Sequence, residues 1–328
     1  MKIGWVEISS KRYGGVIYEE KVRELLSRNF DFQFFEIKNR FFKKGYLRAP
    51  EVLFNLLKLK GQKDLWFRGF YTLLTLPFDR LRGKKLVIIH HIDFSQSKGL
   101  AKVVDSLLEK IIYRFLKKVD FIVTVCEYWR QHFLARGFKN VYKIYNSFNL
   151  KEYDISEEAV EDFKKKYNLT EKPIIYLGNC QKDKGVKESY EALKDLDVYL
   201  VTSGEEFVKI PARNLKIEHQ DYLKLLKSST VVLAMSKIKE GWGRTAHEAL
   251  LLKTPVIGSG LAGQRELLEG AGQIICDDFS RLKEKVEYLL ANPAARKSLG
   301  EKGYNFAKNF THENFEKEWI NLISKLSL

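Results

Sequence analysis

Residues Thr230 to Ser259 constrain the fold of this 328-residue chain more than any other stretch. Thr230-Val231-Val232-Leu233-Ala234-Met235-Ser236 is a short apolar run, which predicts a buried strand, and Thr254-Pro255-Val256-Ile257-Gly258-Ser259 predicts another. Between them lie Glu240-Gly241-Trp242-Gly243-Arg244-Thr245-Ala246-His247-Glu248 and the apolar Ala249-Leu250-Leu251-Leu252. The order strand, glycine turn, helix, strand is that of a parallel α/β unit. It sets Glu240 on a loop at the strand's carboxyl end and Glu248 one turn inside the helix. Both can then face one ligand whose anionic part rests on the helix N-terminus.

The same alternation runs along the chain. Lys2–Val6, Phe32–Ile37, Leu86–Ile89 and Asp120–Val125 read as strands, with a Gly14-Gly15 turn before a helix over Val16–Arg28 and a helix over Leu100–Lys117. A second series starts after Asn146-Ser147. It has a charged helix capped by Ser156, the strand Pro173–Gly178, a helix over Val186–Leu193, and strands at Val198–Thr202 and Leu215–Ile217. Glu301 to Leu326 reads as one long helix.

Composition narrows the class. The length suits two domains with full cores, and 45% hydrophobic with 30% charged residues suits a globular protein. No run of about 18 apolar residues predicts a spanning helix. Glu7 interrupts the apolar N-terminus, so no signal peptide is expected. Cys126, Cys180 and Cys276 have no metal-ligand spacing and point to a reducing cytosol. The net charge is +15, and from Arg40 to Lys85 twelve basic residues face only Glu51, Asp64 and Asp79. Aromatic residues interleave there, Trp66, Phe67 and Phe78 among them. That mixture predicts a face for an anionic membrane surface, with an ordinary solvated basic face as the alternative. RNA would suit the charge, but no RNA-binding signature accompanies it, and nucleic acid is not expected as a partner.

The glutamate pair resembles the E-x7-E motif of retaining glycosyltransferases of the GT-B fold, family 4. Lys184-Gly185 is similar to the family's phosphate-binding lysine and glycine, and Lys2–Gly15 to its first strand and glycine loop. Asp120–Glu127 and Tyr142–Ser147 are similar to its strand-Ser and I-x-N-G region, with Cys126 and Ser147 as departures. The resemblance implies two Rossmann-like domains facing across a cleft. Residues 1–148 would form an acceptor-binding domain and 149–308 a nucleotide-sugar-binding domain, with 309–328 a C-terminal helix returning to the first. It implies that Glu240 holds donor-sugar hydroxyls and Glu248 the ribose hydroxyls, since a carboxylate can accept two hydrogen bonds from a vicinal diol. Lys184 and the backbone N–H groups of Gly243, Arg244 and Thr245 would stabilise the diphosphate, with Gly241 and Trp242 completing the loop. His91 would face the donor sugar, chosen over His90 by register, and Gly14 and Gly15 would admit the sugar phosphate. Asn179 stands where the family has an arginine, and Lys182 or Arg244 is expected to compensate.

Two other motifs read as structural. Gly258-Ser259-Gly260-Leu261-Ala262-Gly263 fits a dinucleotide fingerprint, with Asp277 and Asp278 at the ribose-acid distance, but it comes late in its domain. Asp195-Leu196-Asp197 fits a metal motif without a metal-site context, so neither a metal nor a cofactor is expected. The reading is a cytoplasmic, retaining, metal-independent glycosyltransferase, peripheral on the inner face of the membrane. Its donor is a nucleotide-diphosphate sugar and its acceptor a glycan or lipid-linked molecule. The alternatives are a sugar-nucleotide epimerase of the same fold and a non-catalytic nucleotide- or glycan-binding protein.

Overall fold

The computed structural model describes residues 1–8, 14–38, 48–96 and 99–326. They form two compact units, one of Met1–Asn146 with Glu313–Leu328 and one of Ser147–His312. The first contains β1 (Lys2–Ile8), α1 (Gly14–Asn29), β2 (Asp31–Ile37), α2 (Arg48–Lys58), β3 (Lys60–Arg68), a 3-10 segment (Phe70–Phe78), β4 (Arg80–Ile89), α3 (Leu100–Leu116), β5 (Phe121–Thr124), α4 (Glu127–Leu134) and β6 (Val141–Lys143). Its six strands run in the order β2-β1-β3-β4-β5-β6 with parallel pairing throughout. A parallel sheet covered on both faces needs strands apolar on both sides. Leu86–Ile89 and Phe121–Thr124 are accordingly buried along their whole length.

Three expectations change here. Gly14 and Gly15 open α1 itself rather than preceding it. β3 is a strand where none is expected, and it lies between β1 and β4. Its Trp66 and Phe67 are core residues, and Arg68 is buried with its guanidinium on Asp79 (2.6 Å), Thr72 and Thr75. These three side chains of the basic, aromatic segment are therefore unavailable to a membrane. Arg40, Lys43 and Lys44 of that segment lie outside the described residues.

The second unit contains α5 (Glu157–Lys166), β7 (Ile174–Asn179), α6 (Val186–Leu193), β8 (Tyr199–Ser203), β9 (Arg213–Leu215), α7 (His219–Ser228), β10 (Val231–Ala234), α8 (Arg244–Leu251), β11 (Val256–Gly258), α9 (Gly263–Gly270), β12 (Ile274–Ile275), α10 (Leu282–Ala291) and α11 (Pro293–Ala307). Ser156 caps α5, its Oγ accepting from the Ala159 N–H at 3.2 Å. The six strands are again parallel, in the order β12-β11-β10-β7-β8-β9. The chain starts at β7, builds outward through β8 and β9, then returns to lay β10 on the other side of β7. The order reverses at the β7/β10 boundary. At such a point the two loops leave the strand ends in opposite directions and open a crevice.

The long C-terminal helix is two helices. α11 ends at Ala307, and α12 (His312–Leu326) follows after a break. The break is used: the Phe148 N–H donates to the Phe310 carbonyl at 2.9 Å, Phe148 bridges Thr311, and Ser147 Oγ lies 2.9 Å from His312 Nδ1. The first and last residues of the second unit are thus joined. α12 then packs within the first unit, where Phe315 and Trp319 meet Tyr18, and Trp319 lies 5.9 Å from Phe67, centre to centre.

Candidate functional site

The two loops at the reversal point of the second sheet carry the residues singled out in the sequence. After β7 the chain makes a short 3-10 turn, Lys182–Lys184, and enters α6 at Gly185. Gly185 has φ +66°, and a Cβ there would collide with the Met235 carbonyl oxygen, so only glycine lets the two loops touch. They are fastened where they meet, because the Lys237 N–H donates to the Asp183 carbonyl at 2.8 Å. In consequence Lys184 Nζ and Glu240 Oε1, fifty-six residues apart, lie at 2.6 Å. Both side chains keep some exposure, 33% and 12%.

Glu240 is held from the other side by the loop after β11. Gly263 N–H donates to its carbonyl at 3.1 Å, and Glu240 bridges Ala262. That loop is the apparent dinucleotide fingerprint. Gln264 Oε1 fills it, accepting from the Gly260 N–H at 2.8 Å and Ser259 Oγ at 3.1 Å. Asp278 caps a 3-10 turn through Ser280, and Asp197 pairs with Lys172 at 2.5 Å. Both decoy motifs are thereby given structural work. Among the described residues no group of three or more acidic, histidine or cysteine side chains could hold a metal ion.

Gly243, at φ +88°, turns the chain into α8. No side chain caps this helix, so its first N–H groups have no side-chain acceptor, and a Cβ on Gly243 would lie 3.7 Å from Glu240 Oε2. Glu248 follows one turn later and is almost fully buried. Its Oε1 accepts from Arg244 Nε at 2.7 Å and its Oε2 from the Tyr222 hydroxyl at 3.1 Å. Tyr222 also reaches Thr245 Oγ1, at 3.1 Å. A carboxylate oxygen has two lone pairs, so each oxygen keeps one acceptor position after these bonds form. Burial, with the Glu248 charge beside it, pushes the Tyr222 phenol well above its ordinary value, so it remains a donor.

Trp242 differs from its assigned place. Its ring is buried and turned inward, and its indole N–H donates to His247 Nδ1 at 3.0 Å, so only its backbone remains to line the loop. Asn179 Oδ1 accepts from the Tyr176 and Ser203 hydroxyls at 3.1 and 3.2 Å and belongs to the β7–β8 packing. Lys182 is exposed at the rim of the loop. Arg244 is committed to Glu248 and lies over the Phe148 ring at 5.4 Å. Tyr222, His247 and Gln264 were not among the expected residues. Nothing in their spacing marks them, since each acts on a partner supplied by another element or by the loop geometry.

In the first unit, His91 lies just beyond the carboxyl end of β4 with an exposed side chain, and Gly14 and Gly15 open α1 after β1. His90 turns inward. It lies 3.2 Å from Glu19 and edge-on to Tyr18, and burial pushes it down to about 4. Burial raises Glu19 as well, so the contact is a hydrogen bond rather than an ion pair. Burial beside Glu19 raises Glu7 to about 8 even though Arg23 pairs with it.

Residues 158–306 match the family described as glycosyl transferases group 1. The trehalose synthase of Pyrococcus horikoshii is 29% identical over 126 residues, 38% of this chain and 30% of that protein. A capsular polysaccharide biosynthesis glycosyltransferase, CapM of Staphylococcus aureus, is 23% identical over 266 residues, 73% of this chain and 65% of that protein. The chain thus spans less than two thirds of the length of either relative. Among solved structures, Anabaena HepE in complex with UDP-glucose superposes with a TM-score of 0.77 at 14% identity, covering 99% of this chain and 100% of that one. At that identity the likeness shows the fold alone, two Rossmann-like domains of the GT-B type. The match to the group 1 glycosyltransferases thus falls within the second unit, the one that carries the Lys184 and Glu240 loops.

Proposed function

We propose that this protein transfers a sugar from a nucleotide-diphosphate sugar with retention of configuration, holding the donor mainly on its second unit. The observation that carries the reading is the meeting of Lys184 and Glu240 at the sheet's reversal point, with the uncapped N-terminus of α8 beside them. In this reading Lys184 and the N–H groups of Gly243, Arg244 and Thr245 take the charge of the leaving diphosphate. Glu240 then exchanges Lys184 for the donor-sugar hydroxyls, and Glu248 uses its remaining acceptor positions for the ribose diol. His91, Gly14 and Gly15 take the family roles toward the sugar and its phosphate. The bond from the anomeric carbon to the phosphate oxygen breaks as the bond to the acceptor oxygen forms on the same face. The leaving diphosphate receives the acceptor's proton. Lys184 and the helix N-terminus supply the positive charge that a metal would otherwise bring.

The acceptor in this reading is a glycan or lipid-linked molecule presented at an anionic membrane surface. Its support is a set of exposed apolar side chains: Phe54 on α2, Phe78 after it, and Val103, Val104 and Leu107 on α3. α3 has Lys102, Lys110 and Arg114 exposed, whereas its acids Asp105 and Glu109 are half-buried. Among the described residues no helix is long and apolar enough to cross a membrane. Two experiments test the reading. Nucleotide sugars should stabilise the protein thermally and be slowly hydrolysed, and Glu240→Ala should abolish the sugar-dependent part while nucleotide binding survives. Binding no tighter than that of free phosphate sinks the donor reading. Sedimentation with anionic vesicles should weaken with salt, and binding that ignores lipid charge sinks the membrane reading.

A further inference from the structure

The donor loop has one side chain that touches no expected ligand and yet joins everything around it. His247 lies on α8 one residue before Glu248, on the inner side of the helix, with no exposed surface. Its Nδ1 accepts the Trp242 indole N–H at 3.0 Å, and its Nε2 lies 3.2 Å from the Ala307 carbonyl oxygen. Its ring stacks on Phe148 at 4.0 Å and 11°, and Phe310 meets it edge-on at 5.0 Å.

Those contacts determine its protonation without further assumption. An indole nitrogen only donates and a carbonyl oxygen only accepts. Nδ1 must therefore be bare and Nε2 must carry the proton, giving one neutral tautomer. Trp242 is fixed through the first nitrogen, and it lies in the loop two residues from Glu240. Ala307 is fixed through the second, at the end of α11. Phe148 and Phe310 are the residues through which the start and the end of the second unit are joined. Of the side chains on α8, His247 reaches the donor loop and both of these segments together.

We propose that His247 is a positioning residue for donor binding: its Nε2–H tautomer seats Trp242, and with it the Glu240 loop, against the joined entry and exit segments of the second unit. The proposal rests on the donor reading above for its effect on affinity, but not for the seating itself. A core histidine that merely fills space would be replaced without loss by another flat ring. A positioning histidine would not, and its two nitrogens would be separable. Asparagine puts an acceptor near the place of Nδ1, whereas glutamine puts a donor near the place of Nε2.

The test uses the full chain with His247→Phe, His247→Asn and His247→Gln. The first readout is the Trp242 indole N–H signal in a nitrogen-15 proton spectrum, assigned with Trp242→Phe. The parent and His247→Asn should keep a slowly exchanging, hydrogen-bonded signal, and the Phe and Gln variants should lose it. The second readout is affinity for a nucleotide-diphosphate sugar against free nucleotide. His247→Phe and His247→Gln should weaken the sugar nucleotide by about tenfold, the scale of one buried hydrogen bond lost. His247→Asn should restore most of it. An unchanged indole signal in His247→Phe, or equal affinity in all four proteins, overturns the proposal. If the parent binds no nucleotide sugar, the donor reading fails, and the indole signal still decides whether His247 seats the loop.

Discussion

Replacing His247 by phenylalanine should change how the protein's stability depends on pH, and the size of the change follows from burial. Removal from water pushes the imidazole down to about 3, opposed by its bond to Ala307 and aided by the Arg244 charge. In the unfolded chain the same group titrates near 6.5. The unfolded state therefore binds the extra proton between those values. The native advantage is complete above pH 6.5 and falls by about 1.4 kcal/mol per pH unit below it. From pH 6.5 to pH 5 the parent should lose about 2 kcal/mol that the phenylalanine variant does not lose. At pH 7 the variant starts lower, because the Trp242 N–H and the Ala307 carbonyl lose a partner, at about 1–3 kcal/mol for each group left unpaired. The gap between the two proteins should thus narrow on acidification. For a unit of roughly 170 residues, 2 kcal/mol is about 4–8 °C in Tm. Scanning calorimetry of both proteins at pH 7, 6 and 5 measures that gap directly, and every other titrating group cancels in the difference. A gap that stays constant from pH 7 to pH 5 refutes the reasoning, because it means that His247 is not a buried neutral imidazole.

Glu248→Gln keeps the shape of the side chain but removes the charge that Arg244 and Tyr222 address. It should weaken nucleotide binding by about ten- to a hundredfold in a calorimetric titration, the scale of a charge-assisted hydrogen bond. Gly185→Ala forces a Cβ into the Met235 carbonyl at a left-handed φ and should cost more than about 1 kcal/mol of stability through the loss of the loop contact, read as a lower Tm. Arg68→Met leaves Asp79 buried without its partner and should cost the first unit about 3–5 kcal/mol, read as a lower urea midpoint. Lys184→Ala should slow donor hydrolysis far more than it weakens nucleotide binding, since the charge it stabilises grows as the diphosphate leaves. A parallel loss of both in nucleotide-release assays would put its role in ground-state binding instead.

The second unit was the more legible half of the chain, and the reason is local. Its strands β7, β10 and β11 are short and mostly apolar, and they are bounded by glycine or polar residues. The glycine turns between strand and helix are written in Lys184-Gly185 and Gly241–Gly243. The resemblance gives Lys184 and Glu240 separate roles toward one donor, and only the fold shows them paired at 2.6 Å. β3 was illegible because its first half, Lys60–Asp64, is largely exposed and charged, and only Leu65–Arg68 is buried. Half a strand does not show the pattern of a whole one, and its aromatic residues then read as surface. The break between α11 and α12 was hidden because the residues there bond to Phe148, more than 150 positions earlier. Tyr222 was hidden for a related reason. It lies on an amphipathic helix, and only the fold puts its hydroxyl on Glu248.

The return of α12 to the first unit also fixes an order of events at the ribosome. Trp319 and Phe315 complete the core around Tyr18 and Phe67, yet they are synthesised after the whole of Ser147–His312. At about 5–20 residues per second, the second unit occupies the ribosome for roughly ten to thirty seconds while the first waits with that core open. The second unit contains its own first and last residues and has no such wait. The part of the chain that is made first is the part that is finished last.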